Sequence, residues 1–371
     1  MAHFVEATQA VSDELACVGC GAILKFKPGT LSLACEYCGS KNEIAAPEVA
    51  GKVEELSLGE YLQRNFEKEE THTATAVKCE SCGATSTLDA SISSDKCPFC
   101  SAVLVVKSGS VAKLHKPQYV LPFRLDGTQA KDSFAKWLKR LWFAPGDLKH
   151  YANSAEKLNG MYLPYWTFDC KTDSTYTGQR GEHYYRSETY TEGGQTKTRQ
   201  VRHTRWYPAS GRVSNVFDDV LIEATGSGVA TRKMLRVLEP WDLEGLMPYD
   251  DKYLSGFRTE TYAVDVKTAY DDAKQRMDTV ISSSICRDIG GDTQRINYVN
   301  TSYDDPTFKH ILLPVWISAY RYKGKVYQFL VNARTGEVIG TQPYSAFKIA
   351  MAVIGVIAVG LLLYWLKVNN G

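Results

Sequence analysis

Eight of the ten cysteines fall into two sets with a single spacing. Cys17, Cys20, Cys35 and Cys38 read C-x2-C-x14-C-x2-C, and Cys79, Cys82, Cys97 and Cys100 repeat that pattern 62 positions later. Two residues between thiolates let one tight turn offer both sulfurs to a single ion. A hairpin of about fourteen residues then returns a second turn opposite the first and closes a tetrahedron. Gly21, Gly39 and Gly83 follow cysteine pairs and suit the positive φ of such turns. The pattern predicts two zinc ions (Zn2+). A rubredoxin-like iron site or disulfides are the alternatives, and disulfides fit poorly with paired C-x2-C turns and no visible export signal. Four thiolates leave no open coordination position, so the metal would fold each ribbon and would not do catalysis. The equal spacing, and Gly-Ala after the second cysteine of each set, mark an internal duplication of the ribbon. Cys170 and Cys286 have no such partner and read as small buried hydrophobes.

Other chemistry is hard to find. There is no G-x4-G-K-[ST], no H-E-x-x-H and no G-x-S-x-G. The seven histidines are scattered. The pairs Asp218-Asp219 and Asp250-Asp251 show no opposing group in sequence and read as loop or strand-edge residues. The expectation is a protein that is not an enzyme.

The reading places ribbon one at 13–42, an acidic linker with a short helix at 43–76, ribbon two at 77–106 and an α+β domain at 118–344. The linker stretch "LSLGEYLQRNF" sets Leu56, Leu58, Tyr61, Leu62 and Phe66 near helical spacing, and Glu54, Glu55, Glu60, Glu67, Glu69 and Glu70 surround it. Each ribbon is expected to be a separate small knob. Within the α+β region, 118–225 and 250–344 look like repeats of a helix plus an antiparallel sheet. Both contain Phe-Arg, and both contain L-P-x-W ahead of a strand (Leu163-Pro164-x-Trp166 and Leu313-Pro314-x-Trp316).

Between the repeats, long strands are predicted around a Glu192-Gly193-Gly194 turn. This hairpin alternates aromatics, threonines and arginines, and Arg186, Tyr190, Arg199, Arg202, Arg205 and Trp206 are its candidate partner contacts. Cations interleaved with aromatics could suit single-stranded nucleic acid. They could equally form a solvated face, or one drawn to anionic headgroups near a membrane anchor. The chain as a whole has a net charge of +1 across 371 residues, and the ribbons' lysines (Lys107 among them) are largely cancelled by acids. Nucleic acid is therefore the weaker reading.

The last expectation concerns residues 349–366, "IAMAVIGVIAVGLLLYWL", which carry no charge. At about 1.5 Å per residue such a helix spans roughly 27 Å, close to the hydrocarbon core of a bilayer. Lys348 and Lys367 bracket it. The span 346–367 is predicted to be a transmembrane anchor with the rest of the chain ahead of it.

Taken together, the two ribbons, "LPYWTFDC", "TGQRGEHYY", "TRWYPASGRVSNVFDDVL", "LMPYDDKYLSGFRTETY" and the terminal run resemble the bacterial tail-anchored double-zinc-ribbon (TFIIB-type) membrane proteins. Members are often labelled primosomal protein N′-like (replication factor Y-like) from their cysteines, although the ATPase motifs that label requires are missing here. The resemblance implies a single-pass protein of the bacterial inner membrane with its bulk in the cytoplasm. It also implies an adaptor for SPFH (flotillin-like) or phage-shock protein A-like partners in envelope stress. A membrane-tethered nucleic-acid binder without helicase activity is the alternative.

Overall fold

A computed structural model describes residues 15–44, 53–63, 71–82, 84–87, 94–100, 102–105, 111–148, 158–226, 229–323 and 325–369. Phe66, Glu67, Glu69, Glu70, Gly83 and Lys107, named above, lie outside these residues.

Ribbon one is a three-stranded antiparallel sheet of β1 (Lys25–Phe26), β2 (Ser32–Ala34) and β3 (Lys41–Glu43). The linker contributes β4 (Leu56–Ser57) and helix α1 (Leu58–Gln63). Ribbon two is built from β5 (Thr71–Lys78), β6 (Thr85–Thr87), β7 (Ser94–Lys96), β8 (Val103–Val105) and β9 (Val111–His115). The body follows: β10 (Tyr119–Val120), α2 (Gly127–Arg140), β11 (Asn159–Glu192), β12 (Gln195–Glu223), α3 (Val229–Leu235), β13 (Met247–Pro248), β14 (Arg258–Thr259), α4 (Val266–Ile289), β15 (Thr293–Tyr322), β16 (Lys325–Asn332), β17 (Val338–Gly340) and α5 (Ala346–Asn369).

Three very long strands dominate. β11, β12 and β15 are 34, 29 and 30 residues long, and they lie side by side in the order β12-β11-β15. Their alternation of small or aromatic residues with polar ones is a strand pattern. Along β11, Thr172, Ser174 and Tyr176 are buried while Lys171, Thr175 and Thr177 are exposed. The buried side lies under α4, which turns a single stripe toward it: Val266, Ala269, Ala273, Met277, Ile281, Ile285 and Ile289.

The two L-P-x-W stretches meet. They run antiparallel and cross at the Leu163–Leu313 pair. Met161 and Tyr162 pair in parallel with β14, and Ile311 and Leu312 pair in parallel with β10. The strand ahead of α4 thus lies beside β11, and the strand ahead of α2 lies beside β15. Trp166 Nε1 donates to the carbonyl of Val264, one residue before the Asp265 cap of α4. Trp316 Nε1 donates to that of Leu125, one residue before the Asp126 cap of α2. Both bonds measure 2.9 Å. The Phe-Arg match, by contrast, is not a positional equivalence. Phe123-Arg124 follows β10, whereas Phe257-Arg258 leads into β14. Their rings stack on each other instead, with centroids 4.0 Å apart.

The ribbons are not separate knobs. Cys17, Leu24, Phe26, Leu33, Cys35 and Ile44 share one core with Phe123, Phe134, Tyr162, Tyr253, Leu312 and Trp316. Cys79, Ala84, Cys97, Phe99 and Leu104 share another with Met161, Leu163, Tyr165, Ile311, Leu313 and Val315. Neighbours along a strand point to opposite faces, so alternate residues of β11 and β15 serve the two cores and one ribbon sits on each face of the sheet. Backbone bonds stitch the contacts: Phe26 N–H to Ser255 O at 3.0 Å, Gly29 N–H to Phe123 O at 3.0 Å and Thr261 N–H to Thr85 O at 3.2 Å. Cysteine spacing defines each ribbon but is silent on what its apolar side chains pack against.

Candidate metal centres

Each candidate centre is set by two knuckles, and all four share one design. Cys17, Cys35, Cys79 and Cys97 donate their backbone N–H to the carbonyl five residues on, in Ala22, Ser40, Ala84 and Ala102, at 2.7–2.9 Å. Gly21 and Gly39 close the two ribbon-one turns at φ of 72° and 73°, where a side chain would be strained. The knuckles bring four sulfurs together in each ribbon, with their ligand atoms within 4.8 Å of one another. Cys17–Cys38 and Cys20–Cys35 are 3.4 and 3.5 Å apart, and Cys79–Cys100 and Cys82–Cys97 are both 3.6 Å apart. A disulfide would need about 2.05 Å. A tetrahedron with Zn–S of about 2.3 Å has edges of about 3.8 Å. The residues present therefore fit a four-thiolate metal, and zinc is the ion this donor set favours. Cys170 is buried and Cys286 half-buried, each apart from these clusters.

A further group of charges escaped the sequence reading. Beside Asp169 the ladder slips on both flanks: β12 bulges between Phe217 and Val220, and β15 between Asp304 and Thr307. The slip gathers Asp169, Asp218 and Asp219, with Asp219 at φ 53°. It also turns Lys309 inward, where it is only 4% exposed. The Lys309 ammonium lies 2.7 Å from Asp219, 3.1 Å from Asp169 and 3.2 Å from Glu55 of the linker. The pair Asp218-Asp219 does have an opposing group, a buried lysine 90 residues away in sequence. A protein cation stands where the carboxylates could have held a metal. The signal available was Lys309 itself, a charge inside the apolar run "FKHILLPVW".

Burial, together with a hydrogen bond to Glu55, pushes the Asp169 carboxyl up to about 7. The same hydrogen bond, opposed by burial and helped by Thr307 and Lys309, holds Glu55 down to about 2. One proton shared between these acids leaves Lys309 facing a reduced negative charge. Because the Asp169 value is raised, the stability it contributes is present below the ordinary carboxylate range and is lost as pH rises through about 7. The Glu55 contribution has the opposite sign and falls away only toward pH 2. The thermal midpoint is therefore expected to drop between pH 5 and pH 8, and to drop less in Asp169→Asn. Equal pH profiles for both proteins would refute the assignment.

The two ends of the sheet differ. Past the Gly181–Thr293 pair, β11 and β12 continue alone from Glu182–Arg205 to Glu192–Gln195, turning at Gly193 and Gly194 with φ of 61° and 79°. At about 3.3 Å per residue this two-stranded arm is roughly 35 Å long. The six candidate contacts do not form one surface. Register places Arg186, Tyr190, Arg199 and Arg205 on one face and Arg202 and Trp206 on the other. Several are already engaged within the chain. Arg199 lies over Tyr190 and 3.6 Å from Glu188, Arg205 over Tyr184, and Arg295 over Trp206.

The apolar helix is at the other end. Ala346–Lys367 is long and apolar enough to cross a membrane, with a mean hydropathy of 2.5 and none of it buried. It starts beside Tyr322, Lys323 and Lys325, where β15 turns into β16. That point is 29 residues along β15 from Thr293, a contour of roughly 95 Å. The arm and the apolar helix thus lie at opposite ends of the long strands.

No family model and no solved structure matches the chain. It is 27% identical to the Bacillus subtilis (strain 168) protein YdjG, described as uncharacterized, over 337 residues that cover 90% of this chain and 91% of that one.

Proposed function

We propose that this protein is a non-enzymatic adaptor, tethered by Ala346–Lys367, that recruits protein partners to the cytoplasmic face of a bacterial inner membrane. The observation that carries this reading is the placement of its working parts. An apolar helix lies at one end of a very long sheet and an exposed two-stranded arm at the other. The two metal centres use four thiolates each and so offer structure without an open catalytic position. Eight cysteines arranged for metal and not for disulfides suit a reducing compartment. The sequence resemblance suggests SPFH (flotillin-like) or phage-shock protein A-like partners. The arm's arginines favour protein over nucleic acid, because Arg199 and Arg205 already lie over tyrosines.

The test is co-purification from native membranes. The full chain is compared with a form in which residues 184–201 are replaced by a two-glycine turn. Loss of an SPFH or phage-shock-type partner from the trimmed form is expected. An unchanged partner set would remove the arm from the proposal. Salt-sensitive binding of single-stranded DNA by the full chain would replace it with the nucleic-acid reading.

The body is also proposed to be a duplicated module whose copies have exchanged their opening strands. The support is the paired L-P-x-W stretches and the matching tryptophan bonds to the residues ahead of α2 and α4.

A further inference from the structure

The chain enters the apolar helix through a ring of exposed aromatic side chains. Trp142 is 77% exposed and Phe143 40%, in the loop after α2. Tyr344, just ahead of α5, is 66% exposed, and Phe347, in its first turn, is 75% exposed. Single exposed hydrophobes are ordinary on protein surfaces. Four at one point, beside a helix whose apolar surface is exposed all round, call for a common cover.

The loop is fastened to the helix. Ser345 N–H donates to Phe143 O at 2.8 Å, and the Lys348 ammonium donates to Trp142 O at 3.3 Å and Ala144 O at 2.7 Å. Lys348 therefore spends its charge on the loop's carbonyls. An open groove of about 600 Å³ runs between the two, lined by Leu138, Leu141, Trp142, Leu148, Phe347 and Met351. Lys139 and Arg140 are exposed at the end of α2, immediately ahead of the loop.

We propose that the Trp142–Phe143 loop is a second membrane contact, immersed in the interfacial layer of the bilayer that α5 enters. The inference rests on the reading of α5 as a spanning helix. The occupant is lipid because the groove and the ring are continuous with α5: the first turns of the helix form one wall. Anything that surrounds Phe347 and Met351 also reaches Trp142. Indole and phenol rings favour the headgroup level, where their apolar body and polar edge are both satisfied. Lys139 and Arg140 would face anionic headgroups there. A helix alone fixes depth but leaves the body free to tilt. A second contact tied to the helix by three hydrogen bonds removes that freedom and sets the sheet's angle to the membrane.

The full chain, labelled with 5-fluorotryptophan and placed in lipid nanodiscs, provides the test. The Trp142, Trp206 and Trp365 signals are assigned with Trp142→Phe, Trp206→Phe and Trp365→Phe. Phosphatidylcholine carrying a nitroxide near the headgroup is then added. The Trp142 and Trp365 signals are expected to be lost, while Trp206, at the base of the arm, keeps its linewidth. If Trp365 is lost and Trp142 behaves like Trp206, the loop does not touch lipid and the proposal fails with the anchor intact. That outcome would fit a second copy of the chain covering the ring. If Trp365 also survives, the anchor reading fails first and the proposal with it.

Discussion

Cys79→Ser is expected to halve the zinc content of the purified protein and to unfold far more than ribbon two. Structural zinc contributes roughly 10–16 kcal/mol in ribbon-sized peptides, comparable to the whole stability of an ordinary domain. In this chain the ribbon is part of a larger core. Cys79, Cys97 and Phe99 share a core with Met161, Leu163 and Ile311 of the central strands, and with Leu121 just after β10. Loss of the metal should therefore expose one face of the sheet. The measurements are zinc per chain by atomic emission and the thermal midpoint, with Cys286→Ser as a control that keeps both metals. Two zinc ions per chain and an unmoved midpoint in Cys79→Ser would show that Cys79 is not a required metal ligand.

The second large effect centres on Lys309. Replacing it with methionine keeps the bulk of the stem and removes the ammonium that Glu55, Asp169 and Asp219 share. Deleting one partner of a buried pair typically costs about 3–5 kcal/mol, because the charges left behind are poorly solvated. Glu55 belongs to the linker, whose β4 strand pairs with Thr307 and Phe308. The variant is thus expected to free the linker from the sheet as well as to lower the denaturant midpoint. Adding Asp219→Asn should recover part of the loss by removing one stranded charge. A loss below about 1 kcal/mol, the size typical of exposed pairs, would mean that water already reaches this cluster.

What was legible in sequence was whatever local chemistry enforces. Cysteine spacing located both metal clusters, because a C-x2-C turn is a local geometry. The uncharged run 349–366 located the apolar helix, because length and composition suffice. Glu192-Gly193-Gly194 announced its turn, since two positive φ values in succession strongly favour glycine. The rest depended on distance along the chain. Lys309 reads as an odd charge until the bulges beside Asp169 bring Asp219 to it. The six arm residues read as one patch until register divides them between two faces. The ribbons read as independent because their own spacing is self-sufficient, while their apolar positions were selected against a sheet made much later in the sequence.

The crossed placement of β10 and β14 also governs when the protein can fold. Tyr119 and Val120 find their parallel partners only at Ile311 and Leu312, 192 positions downstream. At a synthesis rate of about 5–20 residues per second, β10 waits roughly 10–40 s for the strand it needs. Pairings this remote are slow to close in any case. The apolar helix begins 34 positions beyond Leu312, so it is made directly after the strands that complete the sheet. The ribbons' short hairpins and cysteine clusters are local in sequence and are the parts able to form during the wait.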